Sequence, residues 1–539
     1  MAETPWWQQK IIYQIYPMSF CDSNGDGIGD LAGIISRLDY LQKLGVGALW
    51  LSPVYPSPNK DNGYDISDYC NIHPNYGTLE EMDTLIAEAK KRDIRIIMDL
   101  VINHTSNQHE WFQKSRRRIA PYTDFYIWRK GENGKKPTNW GNFFGGDCWE
   151  FDEVRREYYL HLFAKEQPDL NYHNEAVIEA IENVMRFWLD RGVAGFRCDV
   201  INIIYKEAIK NGKWRPALTG SEYYLSTPGC HRVLHRLYTD VLSQYNAFTV
   251  GETVFVTPKM ADDLVNPARG ELSTVFAFEH METDCYKIKW FLRRFNPDRF
   301  FACLTKWQQA LPWNTVYLEN HDQPRSVSRY GNDTKYHDES AKALATLVLT
   351  LRGTPFLYEG QEIGMTNFDF PDMQKVRDVE SINIWNIGKQ LHLPRSLRWR
   401  LIKTKSRDNA RTPMQWNDSP NAGFTTGTPW LSVNGNYPRI NAARQENDPD
   451  SVLSYYRRLI AFRNGSEVLQ AGSFTRLFLG NGVYAYRREL NGEGLTVVVS
   501  LAAAERPNPV SGTVVLSNYD RTEAPQRLAP YEALILQEG

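Results

Sequence analysis

The sequence lacks the features that mark membrane-spanning and nucleic-acid-binding proteins. No apolar run in it is long enough to cross a bilayer. Its 62 basic and 64 acidic side chains leave a formal net charge of only -2, so the basic surface that nucleic acid or an anionic membrane requires is missing. We therefore expect a small neutral molecule as partner, with no nucleic acid and no membrane, and a monomer or a weak oligomer.

Paired cysteines and a secretory leader are missing as well. The seven cysteines are an odd number and do not show the paired spacing of a metal site. The N-terminal segment carries Glu3 and has no basic stretch followed by an apolar run, which is the pattern of a secretory signal. These absences predict reduced thiols and a cytoplasmic protein, although the mature form of a secreted protein would also lack a signal.

The composition that is present belongs to a folded globular protein. Hydrophobic residues make up 42% and charged residues 23% of the 539 positions, so neither long disorder nor a fibrous chain is expected. A chain of this length exceeds one compact domain, and we expect two or three. Aromatic residues reach 13%, which suits stacking against sugar rings and a large aromatic core equally well.

Eight short apolar runs of strand type alternate with amphipathic segments along the chain. This pattern is typical of repeated βα units, and eight of them predict an α/β fold of the (β/α)8 TIM-barrel class. The predicted strands are Ile11–Tyr16, Ala48–Leu51, Ile96–Leu100, Gly195–Cys198, Phe248–Val250, Val275–Phe278, Thr315–Leu318 and Phe356–Tyr358. Helical periodicity is clear in Leu31–Leu44, Leu79–Arg92, Val177–Leu189 and Ala341–Leu351.

Two long connections, and a change from helical periodicity to short alternating strands, divide the chain into predicted domains. Residues 1–103 and 173–471 are assigned to the barrel, and residues 104–172 to an inserted subdomain after the third strand. A second long connection follows Tyr358 and ends near Asp450, before a helical segment. Short alternating strands in residues 472–539 predict a C-terminal β-sandwich.

Carboxylates follow three of the predicted strands, where barrel enzymes carry their chemistry. Asp199 lies in GFRCDVIN two residues after Arg197, Glu252 lies in TVGETV, and Asp322 follows His321 in YLENHDQPR. Neighbouring acids push their pKa values apart, so that one donates a proton while another stays ionised. Each residue alone could be a helix cap or an arginine partner, but the three together favour glycoside hydrolysis by paired carboxylates.

Several motifs in a fixed order carry a family resemblance. They are YQIYPMSFCDSNGDGIGD, GYDISDY, MDLVINHTS, QPDLNY, GFRCDVIN, VGET, ENHDQPR and NARTPMQW. The chain resembles glycoside hydrolase family 13, and within it the oligo-1,6-glucosidases and dextran glucosidases, over nearly its whole length. The resemblance implies a retaining enzyme in which Asp199 is the nucleophile, Glu252 the general acid/base and Asp322 the acid that grips substrate hydroxyls.

The same resemblance implies a set of residues around the glucose at the non-reducing end. By motif position these substrate-binding residues are Tyr64, Asp65, His104, Phe163, Gln167, Arg197, His321 and Arg411. Phe163 has an equally good structural interpretation, because an aromatic residue near an insertion is often part of the core.

The segment that begins at Asp22 spaces oxygen ligands at alternate positions around glycines, as hard-cation loops do. Gly33 stands where an EF-hand would supply its bidentate Glu, so the motif is incomplete. The resemblance implies a structural Ca2+ and no organic cofactor; a metal-free acidic turn is the alternative. The implied ligands are Asp22, Asn24, Asp26, Asp30 and the carbonyl of Ile28.

Val200, directly after the predicted nucleophile, bears on linkage. In the resembled family Val at this position accompanies α-1,6 specificity, and its stiff β-branched side chain would narrow the channel toward the leaving sugar. Lys289 and Glu380 match positions that contact the second sugar in dextran glucosidases. We therefore predict an exo-acting hydrolase of isomaltose, panose and isomalto-oligosaccharides, while Val200 as a simple strand residue remains the alternative.

Rival functions on the same fold stay open at this point. A noncatalytic barrel, of the kind that accompanies amino-acid transporters, is disfavoured by the retained acids and the missing anchor. An α-glucosidase of broader linkage, a sucrose isomerase or a transglucosidase would use the same chemistry. A trehalose-6-phosphate hydrolase would need a cationic phosphate site, for which Lys289 and Arg325 are candidates.

Overall fold

Eight parallel strands form the central sheet of the protein. The computed structural model describes residues 4–131, 135–215, 218–286 and 288–537. We number the strands of this sheet β1 to β8. They are β1 Ile12–Ile15, β2 Ala48–Leu51, β3 Arg95–Leu100, β4 Gly195–Cys198, β5 Phe248–Glu252, β6 Thr274–Phe276, β7 Thr315–Val316 and β8 Thr354–Tyr358.

The order of these strands is that of a (β/α)8 barrel, which confirms the predicted fold class. Neighbours in the sheet follow the chain, in the order β7–β8–β1–β2–β3–β4–β5–β6. Parallel registers pair Ile12 with Phe356 and Gly195 with Phe248. The ladder of β7 ends at Val316, earlier than the predicted Leu318, although Leu318 is still buried. Burial of the side chain predicted the longer strand, whereas backbone pairing ends sooner.

The helices lie mainly between these strands. The α-helices are Trp6–Gln9, Pro17–Phe20, Leu31–Ser36, Leu38–Leu44, Leu79–Lys91, Glu110–Ser115, Glu175–Asp190, Pro228–Leu237, Ser243–Tyr245, Pro258–Val265, Pro297–Ala310, Ser326–Tyr330, His337–Thr350, Val379–Gln390, Arg395–Lys405, Asp408–Arg411, Ala442–Gln445, Val452–Asn464 and Glu467–Ala471. Short 3-10 turns cover Tyr122–Asp124, Ile201–Ile203, Ser221–Tyr223, Glu279–Glu282, Gln361–Ile363, Met373–Lys375 and Pro420–Gly423, and a π-helical turn covers Tyr238–Leu242.

Local sequence signals explain where the longer helices begin. The Asn174 side chain accepts a hydrogen bond from the amide of Ala176 and so caps Glu175–Asp190, whose buried stripe includes Ile181 and Trp188. The predicted single helix Leu31–Leu44 is instead broken at Arg37, whose φ of -108° and ψ of 4° are not helical. The Arg37 guanidinium lies 4.3 Å from the centre of the Trp416 ring, a contact that periodicity alone does not reveal.

The chain divides into two compact units. The first consists of Met1–Leu49, Glu88–Ile94 and Glu279–Gly539. It ends in a five-stranded antiparallel sheet with the order Ser473–Gly480, Val483–Leu490, Glu493–Ser500, Ala533–Gln537, Thr513–Ser517, beside a two-stranded sheet of Arg506–Pro507 and Arg527–Leu528. Val483, Val498 and Leu534 belong to the core of this antiparallel domain. The first unit also contains a hairpin-like pair, Cys285–Tyr286 and Ile288–Leu292.

The second unit consists of Trp50–Ala87 and Arg95–Phe278. Within the predicted insertion, Trp128–Arg129, Glu157–Leu160 and Trp149–Asp152 form a three-stranded antiparallel sheet in that order. A buried cluster that includes Trp140, Trp149 and Leu162 packs beside this sheet, and we call it the aromatic cluster. The predicted domain boundaries at residues 103, 172 and 471 remain predictions.

No described helix combines the length and the apolar character needed to cross a membrane. All seven cysteines carry free thiols. Cys198, at the end of β4, is 3% exposed, and burial raises the pKa of its thiol to about 12.

Candidate active site

Strands β4 and β5 of the second unit present two of the predicted catalytic acids. Gly195 lets these strands approach closely, because a Cβ there would lie 2.0 Å from the carbonyl oxygen of Phe248. The Asp199 amide donates to the carbonyl of Leu100 at 3.0 Å, so the sheet pattern continues one residue past β4. Glu252 is the last residue of β5.

One buried guanidinium joins three carboxyl groups. Arg197 is 3% exposed. Its Nη1 donates to Asp199 Oδ1 and to Asp99 Oδ1, each at 2.7 Å, and its Nη2 donates to Glu252 Oε2 at 2.6 Å. We call these four residues the acid cluster. Sequence reasoning missed Asp99, which lies on β3 and is completely enclosed; its place in MDLVINHTS was the available signal.

Burial and mutual repulsion hold protons on the acid cluster. Burial raises the pKa of Asp199 well above its usual range; Arg197 opposes this, while the charges of Glu252 and Asp99 and a side-chain hydrogen bond with Glu252 add to it. Burial likewise raises the pKa of Asp99 to about 6 against the opposing effect of Arg197. One cation does not offset the repulsion among three neighbouring carboxyl groups, so the pKa values of Asp199 and Asp99 are both raised.

The predicted glucose-binding residues of the second unit form a buried hydrogen-bonded group. His104 Nε2 lies 3.2 Å from the Tyr64 carbonyl oxygen and 3.1 Å from Gln167 Nε2. Gln167 Nε2 also donates to Asp61 Oδ2 at 3.1 Å. Burial lowers the pKa of His104 to about 4, so its imidazole is neutral at physiological pH. The structure brings Tyr64, His104 and Gln167 together and adds Asp61, which sequence reasoning did not select.

Asp65 occupies a different environment. Its carboxylate is fully buried and accepts hydrogen bonds from Ser57 Oγ at 2.9 Å and from the amides of Lys60 and Asp61 at 3.0 Å each. Burial raises its pKa despite these donors. These contacts stabilise the turn that carries Asp61 and Tyr64.

Phe163 and Val200 belong to the aromatic cluster. Phe163 stacks on Phe143 with ring centres 4.9 Å apart, and its ring centre lies 5.1 Å from that of His104. Val200 is 6% exposed and packs in the cluster with Trp149. Both residues therefore have a core role, and Phe163 also touches a predicted substrate-binding side chain.

The first unit carries the third predicted acid in a cationic environment. Asp322 Oδ1 accepts from Arg411 Nη2 at 2.5 Å and lies 3.5 Å from Arg407 Nη1. His321 lies 3.5 Å from the other carboxylate oxygen and stacks on Tyr16. Burial alone would raise the pKa of Asp322, but His321 and the guanidinium groups of Arg407 and Arg411 hold it far below its usual range. Asp322 is therefore ionised.

Arg407 links Asp322 to the predicted second-sugar residues. Its Nε donates to Asp378 Oδ1 at 2.8 Å and lies 4.0 Å from Glu380 Oε2. Glu380 in turn accepts from Lys289 Nζ at 2.7 Å and from Trp290 Nε1 at 2.9 Å. We call Asp322, its partners Arg407 and Arg411, and the linked residues Asp378, Glu380 and Lys289 the cation-rich cluster. Sequence reasoning missed Arg407 and Asp378, because only folding brings RDNAR next to the helix that contains Glu380.

Arg325, the candidate phosphate ligand, is completely buried. Its Nη1 donates to the Glu359 carbonyl at 2.5 Å and its Nη2 to the Ala410 carbonyl at 2.9 Å. These bonds hold its guanidinium inside the unit, so it does not present a charge to a substrate.

The predicted calcium loop is ordered by its own hydrogen bonds. Both oxygens of Asp22 accept backbone amides of the loop, and Asp30 caps the helix that follows through the amide of Gly33. Asn24 and Asp26 each accept one amide, from Asp26 and Ile28. The oxygen donors suit a hard cation chemically. No group of three or more His, Cys, Asp or Glu side chains in the described ranges is arranged to hold a metal.

The chain is similar to known proteins over nearly its whole length. A family model described as the catalytic domain of alpha-amylase matches residues 14–472. The chain is 47% identical to an oligo-1,6-glucosidase of Parageobacillus thermoglucosidasius, with 99% of each chain covered.

Two solved structures are similar to the whole chain in fold and sequence. A trehalose-6-phosphate hydrolase of Bacillus licheniformis is 42% identical with a TM-score of 0.94, covering 99% of both chains. An isomaltulose synthase of Klebsiella sp. LX3 is 40% identical with a TM-score of 0.95, covering 100% of both chains.

Proposed function

Because the chain belongs to the alpha-amylase family, glycoside hydrolase family 13, we propose that it is a retaining oligo-1,6-glucosidase. It removes the non-reducing-end glucose from short α-1,6-linked gluco-oligosaccharides such as isomaltose and panose. Full-length similarity at 47% identity to an oligo-1,6-glucosidase supports this substrate class.

The observation that carries the mechanism is that one guanidinium, that of Arg197, binds both Asp199 and Glu252. Arg197 Nη1 donates to Asp199 Oδ1 at 2.7 Å, and its Nη2 donates to Glu252 Oε2 at 2.6 Å. Inverting glycosidases need space for a water molecule between the two carboxyl groups, whereas retaining enzymes hold them about 5 to 5.5 Å apart. Because one guanidinium binds both carboxyl groups, they lie close to each other, and this supports double displacement.

Each step uses groups of the acid cluster. In the first step, Glu252 gives its proton to the glycosidic oxygen, Asp199 bonds to the anomeric carbon, and the bond to the leaving sugar breaks. In the second step, Glu252 takes a proton from water, whose oxygen displaces Asp199 from the anomeric carbon. Arg197 stabilises the carboxylates that appear in each step.

The remaining residues hold the glucose. Neutral His104 and the Gln167 amide are hydrogen-bonding groups for sugar hydroxyls, and the ionised Asp322 accepts hydroxyl hydrogens that become more acidic in the transition state. Arg407 and Arg411 keep that carboxylate charged at working pH. Lys289 and Glu380 bind the second sugar, with Trp290 holding Glu380 in place.

A panel of isomaltose, panose, maltose, sucrose and trehalose-6-phosphate tests the proposal. We expect glucose release from isomaltose and panose to exceed release from maltose, and proton NMR to show α-glucose first. First appearance of β-glucose contradicts the mechanism, and preference for maltose contradicts the linkage.

Trehalose-6-phosphate hydrolysis is the second candidate, because solved structures of such enzymes are close relatives. The disposition of the candidate cations disfavours it. Arg325 is buried among carbonyls, and the charge of Lys289 is neutralised by Glu380. Cleavage of trehalose-6-phosphate with a kcat/KM above that for isomaltose would reverse this preference.

Calcium, location and assembly complete the proposal. We propose a Ca2+ at the Asp22–Asp30 loop that braces the folded state, together with a cytoplasmic monomer or weak oligomer. An ion that binds only the folded protein at a concentration of 100 Kd adds about 2.7 kcal/mol to the free energy of unfolding. Chelation should therefore lower Tm and added Ca2+ restore it, with little change in kcat; a Tm indifferent to both contradicts the ion.

A further inference from the structure

Val200 has a backbone conformation that β-branched residues rarely adopt. Its φ of 35° and ψ of 40° lie in the left-handed region, where the Cβ of a branched residue is crowded by the backbone. Strain of this kind persists only when the surroundings fix it. The isopropyl group is fixed in the aromatic cluster with Trp149, Leu162 and Ile203, so packing of the side chain holds the backbone in place.

The peptide N–H of Val200 faces the carboxyl group of Glu252. The distance from Val200 N to Glu252 Oε2 is 3.3 Å, and the same oxygen accepts from Arg197 Nη2 at 2.6 Å. The preceding amide, that of Asp199, donates in the other direction, to Leu100 on β3. The left-handed turn then directs the chain into the 3-10 turn Ile201–Ile203, while the N–H stays on the side of β5.

We propose that Val200 is a positioning residue for the general acid/base: its N–H and Arg197 occupy Oε2 of Glu252, so that Oε1 carries the catalytic proton. This inference rests on the proposed function. An oxygen that accepts two hydrogen bonds has both lone pairs engaged, and protonation there would expel a donor. The proton therefore passes from Oε1 to the glycosidic oxygen, leaving a carboxylate whose Oε2 is already solvated by protein donors.

The other groups that face Glu252 within the second unit are charged or titratable. They are Arg197 and Asp199 from the end of β4 and Asp99 from β3, with Tyr64 donating to Asp99 Oδ2 at 3.2 Å. Changing any of them alters the charge of the acid cluster. The Val200 N–H is a neutral donor, so its removal tests positioning without changing that charge.

The test replaces Val200 by its α-hydroxy analogue, which turns the peptide bond into an ester and removes only the N–H. Without this donor the carboxylate form of Glu252 is less stable relative to its protonated form. The basic limb of the pH profile of kcat/KM should therefore move to higher pH by about 0.5 to 1 unit. Val200→Gly keeps the N–H and adopts the left-handed conformation without strain. Its basic limb should remain at the wild-type pH, even though its kcat and linkage preference change.

A matched control places the same ester at Ile203, whose N–H donates to the Val200 carbonyl at 3.2 Å. This change removes a hydrogen bond from the same turn without touching Glu252, and the basic limb should stay in place. A Val200 ester with an unshifted limb, or an equal shift from the Ile203 ester, overturns the inference. Wild-type protein that cleaves another α-glucoside but not isomaltose would contradict the proposed substrate instead, and the limb is then measured on the sugar it cleaves.

Discussion

The acid cluster and the cation-rich cluster place the same kind of side chain, an aspartate near the end of a barrel strand, in opposite electrostatic surroundings. Asp199 shares one guanidinium with two other acids, and its pKa is raised. Asp322 is surrounded by His321, Arg407 and Arg411, and its pKa is lowered. The ratio of cations to carboxyl groups, and not the residue type, decides whether the pKa of the aspartate is raised or lowered.

The largest expected effect comes from removing the carboxyl group of Asp199 or of Glu252. Asp199→Asn and Glu252→Gln should each lower kcat on isomaltose by about 10⁴-fold or more, because nucleophile and acid/base act as a unit. Neither change should lower Tm appreciably, since removing a carboxylate relieves repulsion around Arg197. Loss of folding in both variants would show that the acid cluster is structural.

A second comparison removes one cation from each cluster. Arg197→Gln leaves the buried carboxyl groups of Asp99 and Asp199 without their cation and should lower the free energy of unfolding by about 3 to 5 kcal/mol. Arg407→Gln leaves Asp322 paired with Arg411, and the buried Asp378 keeps its hydrogen bonds from the Glu380 amide and from Ser381. Its cost should therefore be smaller, about 2 kcal/mol. Urea unfolding of both variants checks the ranking, and equal losses would contradict the difference in cation count.

The clusters should also respond oppositely to pH. The pKa of Asp99 rises from 3.8 to about 6 on folding, so its stabilising contribution is complete below the unfolded value and is lost as pH rises through about 6. Two pKa units correspond to at most about 3 kcal/mol. The contribution of Asp322, whose folded pKa is depressed, is present above its unfolded value and is lost as pH falls below it.

Urea titrations from pH 3 to 8 measure both limbs. Asp99→Asn should flatten the loss of stability between about pH 4 and 7, and Asp322→Asn should flatten the loss on the acid side. A variant pair that flattens the same limb would show that the two clusters are not electrostatically distinct.

The smallest expected effect concerns linkage, to which both regions contribute. Val200→Ala or Val200→Thr should raise the ratio of kcat/KM on maltose to kcat/KM on isomaltose. The expected change corresponds to about 1 to 3 kcal/mol of activation free energy, because a methyl-sized change in a pocket rarely discriminates more. Lys289→Met should instead raise KM for isomaltose. An isomaltose-to-maltose ratio that Val200→Ala leaves unchanged would assign Val200 to the aromatic cluster alone.

Prediction from sequence succeeded where a local pattern determines the outcome. Alternation of strand and helix gave the fold class, and the bounds of Ala48–Leu51 and Gly195–Cys198 coincide with the structure. Asp199 directly follows β4 and Glu252 is the last residue of β5, so the strand ends that the sequence predicts do carry these two acids. The family resemblance is confirmed by the comparisons, while the individual roles of the site residues stay predictions.

What sequence could not provide are partners that only folding brings together. Asp99 reaches Arg197 across neighbouring strands, and Arg407 reaches Asp378 from 29 positions away. Asp61 and Asp65 are both aspartates close to Tyr64 in the sequence. Only the folded turn shows that Asp65 accepts backbone amides whereas Asp61 accepts from Gln167. The break at Arg37 falls in an unbroken helical period, and no glycine or proline marks it.

Cys198 directly precedes the proposed nucleophile Asp199, and its thiol can report how often this part of the structure opens. Thiolate reacts with alkylating reagents and thiol does not, and burial keeps this sulfur both protonated and inaccessible. Modification at Cys198 therefore requires β4 to open. The rate at which iodoacetamide labels Cys198, followed by mass spectrometry, measures how often β4 opens beside the proposed nucleophile. An inhibitor that slows this labelling when bound allows its affinity to be measured without following turnover.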